Sequence, residues 1–165
     1  MKYNASLDTT AKIVTGGIAV LGIAITFTIT KELIGSDIDL IAIIFMSGVF
    51  LLFPSLLLIC WLYAPQSYTL SDASITINRI RGRITIPLDT LESVKIIYNN
   101  SMKWPIRTFG VGGVFGYYGY FYHSSIGNFS MYASQRNNKV LLTTKQGKKI
   151  IITPDDLGLV QQLQR

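Results

Sequence analysis

Two stretches near the start of the chain, residues 13–30 and 40–63, contain no Asp, Glu, Lys, Arg or His. Coiled into helices, each is long enough to cross a hydrocarbon layer roughly 30 Å thick, and uncharged runs of that length have few other uses. They are expected to form a transmembrane helical hairpin with a short loop, 31–39, preceded by an arm, 1–12. Residues 64–165 are left for one small folded domain, so whatever the chain does is expected at a bilayer surface.

The charges divide along the same line. From Ala64 onward the chain holds twelve Lys and Arg against five Asp and Glu, so the net charge of +6 resides in this domain. A basic module beside an anionic leaflet is drawn to it, although a basic surface serves solubility equally well. Lys2 and Lys12 flank the hairpin on the arm side, whereas the loop sets Lys31 against Glu32, Asp37 and Asp39. The positive-inside rule then places both termini in the cytoplasm, with Trp61 and Tyr63 at the cytoplasmic interface where aromatic rings gather. A cleaved signal peptide competes for the first run, but its apolar stretch is too long and no A-x-A-like site follows.

Thr15, Ala19, Gly22 and Thr26 recur at helical spacing and make a stripe of small side chains along which a neighbouring backbone can approach. The second span or a second copy of the chain would fit against it. Pro54, followed by Ser55, is expected to kink the second helix. With no ionisable side chain at membrane depth, an ion or proton pathway has no support. The single cysteine, Cys60, rules out an intramolecular disulfide or a thiolate cluster and reads as apolar filler or, less simply, an acylation site.

Beyond Pro65 the chain reads as short strands between turns: 68–70, 74–79, 83–88 and 94–98, then 139–144 and 149–153. Ile75 and Ile77 alternate with Thr76 and Asn78, and Ile84 and Ile86 with Thr85, the period-two signature of a sheet with one buried face. Gly147 supplies the positive φ a hairpin turn needs between the last two strands. All the pairing is expected to be antiparallel. The order Thr153-Pro154-Asp155-Asp156-Leu157 looks like a helix start, with Thr as N-cap, Pro at the first turn and two acids at the positive end of the macrodipole. Leu157, Val160 and Leu163 would lay that helix on the sheet.

The helical hairpin, together with Tyr68-Thr69-Leu70-Ser71, 82–88 (GRITIPL), 107–113 (RTFGVGG) and the closing Ile152-Thr153-Pro154-Asp155-Asp156, resembles the bacterial pleckstrin-homology-like (PH-like) membrane proteins over residues 64–165. The resemblance implies an α+β chain: the transmembrane hairpin, then a seven-stranded, strongly bent antiparallel PH-like β-barrel or sandwich capped by a C-terminal helix. It implies a multi-pass protein of the bacterial cytoplasmic (inner) membrane and little about activity. Relatives that bind phosphoinositides carry a basic cluster at the first hairpin, where this chain has Ser71-Asp72-Ala73-Ser74.

Residues 102–134 interleave six glycines with aromatic residues that include Phe109, Phe115, Tyr117 and Tyr118. Neither a G-x-G-x-x-G fingerprint nor a P-loop is present. The segment is read as a long insertion whose rings pack on the barrel or helices, or rest with Trp104 among lipid headgroups. His123 is the only histidine, and it lacks the partners for a metal site or a triad. No catalytic residues, metal or cofactor are expected.

Three basic groups could meet anions: Arg79, Arg81 and Arg83; Lys145, Lys148 and Lys149; and Arg136 with Lys139. Tethering makes a neighbouring protein, a second copy or anionic lipid headgroups the nearer partner, and nucleic acid is not expected. A non-catalytic adaptor at the cytoplasmic membrane face is the first functional expectation. Anionic-lipid sensing through the basic turns and the Gly/aromatic segment is the second, and an uncharacterised membrane enzyme using His123 the third.

Overall fold

The computed structural model describes residues 1–34, 40–98, 102 and 105–164. Helix α1 runs Thr9–Ile34 and α2 Leu40–Tyr63. Both are long and apolar enough to cross a membrane, and the rest of the chain buries only 6% of the first apolar window and 0% of the second. Helix α2 passes through Pro54 without a break, and Ser55 Oγ donates to Leu51 O at 2.6 Å. The small-residue stripe meets the second helix in part: Gly22 sits against the Phe53 ring, and Ala19 and Thr26 line the gap beside Phe50 and Leu57. Thr15 faces the β domain instead.

Two open sheets follow. The first has the order β1-β2-β3-β4, with β1 Lys2–Asn4, β2 Pro65–Leu70, β3 Ser74–Arg79 and β4 Arg83–Pro87, all antiparallel. The arm thus supplies an edge strand, with Tyr3 opposite Tyr68. The expected alternation holds: Ile75 and Ile77 are fully buried, whereas Thr76 meets Thr85 across the other face.

The second sheet has the order β5-β9-β10-β8-β7-β6, from β5 Leu91–Ile97, β6 Ile106–Gly112, β7 Tyr117–His123, β8 Gly127–Ala133, β9 Lys139–Thr144 and β10 Lys149–Ile152. One pair departs from the antiparallel expectation, because β10 lies parallel to β8 with Ile151 opposite Met131. Ile150, Ile151 and Ile152 are all buried, the continuous apolar run of a strand covered on both faces.

Between the sheets Tyr68, Ile75, Ile77 and Ile86 pack on Val140, Leu142, Ile150 and Ile152. A second core on the far side of the larger sheet joins Ile151, Met131, Phe121 and Phe129 to Met102 and to Ala11 of α1. Of the expected seven-stranded barrel or sandwich, the barrel form and the strand number are therefore corrected: there are two open sheets, of four and six strands. The arm and the Gly/aromatic segment add strands that the barrel expectation left out.

The C-terminal helix also needs correction. Helix α3 runs Gly158–Leu163, not from Thr153. Thr153 is fully buried, where its Oγ1 accepts from Ser134 N at 3.1 Å and its N donates to Tyr68 Oη at 3.1 Å. Asp155 receives Ser6 N, Ser6 Oγ and Gln135 Nε2, so it ties the arm down rather than capping a helix. Asp156 alone serves the helix, accepting from Gly158 N at 2.8 Å. Val160 is buried as its spacing implies, and the sequence reading overlooked Leu159, also buried.

Candidate functional site

The Gly/aromatic segment is a β-ribbon, not an inserted loop. Strands β6 and β7 pair with Ile106 opposite Tyr122, Arg107 opposite Phe121, Phe109 opposite Tyr120, Gly110 opposite Gly119 and Gly112 opposite Tyr117. Opposed residues share a face, and the faces alternate along each strand. The ribbon therefore has two distinct sides.

Its inner side floors a cleft of about 720 Å³. Tyr117, Phe121, Met131 and Met102 are buried and form an apolar bed, while Arg107, Arg136 and Lys139 stand around it. Arg107 comes from β6, Arg136 from the β8–β9 connection and Lys139 from the first residue of β9. Arg136 Nε donates to Tyr117 Oη at 3.0 Å, and its guanidinium lies 5.4 Å over the same ring. Lys139 is only 6% exposed, and burial with the nearby Arg136 charge lowers its pKa from the ordinary lysine value.

The outer side is open. Ile106, Phe109, Tyr120 and Tyr122 are 65%, 74%, 59% and 42% exposed, and together they make an uncovered apolar and aromatic strip on an edge of the sheet.

The ribbon is fastened to the base of the helical hairpin. Asp8 Oδ1 accepts from Ala11 N at 2.7 Å, capping α1. Its Oδ2 accepts from Arg136 N at 3.0 Å, and its own N donates to Ser134 O. Tyr117 Oη approaches the same carboxylate at 3.5 Å, and burial first, the Asp8 charge second, raise the Tyr117 pKa. At the ribbon tip Phe115 N donates to Thr15 Oγ1 at 2.9 Å. Tyr118 Oη donates to Cys60 O, and its pKa is raised chiefly by burial. Arg81 N donates to Leu62 O at 2.8 Å, so both helices meet the domain through hydrogen bonds.

The candidate residues named from sequence are dispersed. Arg79 lies 5.5 Å over the Tyr63 ring with its Nε buried, while Arg81 and Arg83 are exposed at the β3–β4 turn. Lys145 and Lys148 are exposed at the β9–β10 turn of the other sheet, and Lys149 Nζ donates to Ile126 O. Tyr117 lines the cleft, Phe109 lies on the outer strip, and Phe115 and Tyr118 bind the helix ends. Trp104 falls outside the described residues. Arg136 and Lys139, paired in the sequence reading, do come together, and Arg107 is the partner that reading missed. His123 is the last residue of β7, with Nδ1 2.8 Å from Ser125 Oγ, a contact two residues apart.

Searches of curated proteins and of solved structures return no match. The family model for the bacterial PH domain matches residues 66–165, which span both sheets apart from the arm strand and Pro65 and include the ribbon and cleft. On that match, which covers more than half of its length, the chain belongs to the bacterial PH domain family.

Proposed function

We propose that this chain is a non-catalytic adaptor: a PH-domain binding module anchored by its helical hairpin in the bacterial cytoplasmic membrane, with both termini in the cytoplasm. The observation that carries the reading is the contrast along the chain. Two long apolar helices stay uncovered, yet their ends at Asp8, Thr15, Cys60 and Leu62 are hydrogen-bonded into the domain. Such a joint holds the domain in a fixed attitude to the helices, which suits presentation of a surface to a neighbour. The aromatic strip of Ile106, Phe109, Tyr120 and Tyr122 is the surface we assign to a protein partner, since exposed apolar strips of this kind mark contact sites.

Cross-linking in intact membranes followed by affinity capture of the full chain tests this. Recovery of a discrete protein, lost in a Phe109→Ser/Tyr120→Ser variant that still reaches the membrane, is the expected result. Equal recovery with the variant would overturn the assignment of the strip.

A further inference from the structure

The larger sheet has two edges, and the chain treats them differently. Along β5 the C-terminal helix covers the edge: Leu157 and Val160 lie beside Val94 and Ile96, and Gln164 Nε2 donates to Val94 O at 3.1 Å. At the other edge β6 pairs with β7 on one side, and no described strand takes up the backbone donors and acceptors of its outer side. Such a row of open groups is a template for a further strand. The usual guards against that are weak here, since β6 carries a single charge, Arg107, no proline, and two exposed apolar side chains, Ile106 and Phe109. Its one irregularity, the register shift between Arg107 and Phe109, leaves Phe109 to Gly112 in continuous pairing.

The two sides of the ribbon dictate what an added strand must carry. Ile106, Phe109, Tyr120 and Tyr122 make the outer side apolar, while Arg107, also exposed, belongs to the inner side. Side chains alternate along a strand, so a neighbour laid beside β6 sets every second residue against Ile106 and Phe109 and the others toward Arg107. Charge decides against a second copy of the chain: the domain holds twelve Lys and Arg against five Asp and Glu from Ala64 onward, and β6 has no acid to answer Arg107, so a β6–β6 pair opposes like charges whereas an acidic segment is complementary. The strip also starts at the helices, because Tyr118, on the same face as Tyr120, donates to Cys60 O near the end of α2. We propose that the outer edge of β6 accepts an extended, acidic segment of a partner protein as an added strand, alternating apolar residues on Ile106 and Phe109 with carboxylates at Arg107. The inference rests on the adaptor reading above for the existence of a protein partner, and adds the chemistry of that partner and its mode of binding.

The test uses the full chain reconstituted in phosphatidylcholine nanodiscs and probe peptides about as long as β6: alternating valine and glutamate, alternating valine and lysine, and the glutamate peptide with every second backbone nitrogen methylated, which keeps the charge and removes the donors. The glutamate peptide is expected to bind about tenfold or more tightly than either control, the scale of one or two charge-assisted hydrogen bonds. It is also expected to slow hydrogen exchange across β6 while leaving the β5 amides unchanged. Arg107→Glu is expected to reverse the order, so that the lysine peptide binds more tightly, a gain that poor folding cannot mimic. Lys145→Gln/Lys148→Gln, which removes charge from an exposed turn, leaves the order as it was.

Equal binding of the glutamate peptide and either control, an unchanged order in Arg107→Glu, or protection that spares β6 would overturn the proposal. A dimer of the chain in the discs, lost in Phe109→Ser/Tyr120→Ser, would overturn it in favour of a second copy at this edge. Strip-dependent recovery of a partner from intact membranes, with no peptide binding at β6, counts against the added strand alone and leaves the adaptor reading standing.

Discussion

Gly119→Ala is expected to destabilise the domain by about 3 kcal/mol or more, a large share of the stability of a small fold. Gly119 and Gly110 face each other across the β6–β7 ribbon at φ +128° and +115°, where other residues are strained. A Cβ on Gly119 would run into the carbonyl of Phe109 and lie 2.8 Å from the Cα of Gly110, backbone atoms that cannot swing aside. Gly127→Ala is the matched control. It too has positive φ, +81°, but a Cβ there has nothing within 4 Å, so only the conformational strain of about 1 kcal/mol applies. Denaturant unfolding of the two variants checks the difference, and equal losses would mean that close backbone approach is not what demands glycine at 119.

Asp8→Ala is expected to loosen the joint between helix and domain, at a cost of about 2 to 3 kcal/mol. The change removes the cap of α1 and leaves Ala11 N and Arg136 N without their carboxylate acceptor. Ala11 is fully buried in the second core, so its amide cannot turn to water without local opening. Hydrogen exchange at Ala11 and Lys12 should speed up by roughly thirtyfold, while the buried β3 amides of Ile75 and Ile77 stay slow. Uniform acceleration in both places would show that Asp8 supports the whole fold rather than the joint.

These two effects concern the features least legible in the sequence. Local patterns were readable wherever one face of an element is buried. The strand at 74–79 falls where alternation placed it and the one at 139–144 where the Gly147 hairpin placed it, and Gly147 has the positive φ, +77°, that its turn requires. The uncharged runs mark both long helices to within a few residues of their ends.

What escaped depended on partners distant in the chain. Ile150 to Ile152 look like any apolar strand, and nothing local says that β10 pairs in parallel with β8. Thr153-Pro154-Asp155 has helix-start chemistry, but Tyr68, Ser134 and Ser6 take those groups for tertiary contacts instead. The aromatic stretch hides its period because Gly110, Gly112 and Gly119 alternate with Phe109, Tyr118 and Tyr120 along the strands, so the ribbon reads as a loop. Arg107 stands far from Arg136 and Lys139 in sequence, and only the β6–β7–β8 pairing brings it to the same cleft.

Membrane attachment underlies the proposed adaptor role, and fractionation after gentle lysis measures it directly. The intact chain, spun at high speed at neutral pH without detergent and washed in high salt, is predicted to remain in the membrane pellet and to leave it only when detergent is added. Recovery of the full-length chain in the supernatant would contradict the account.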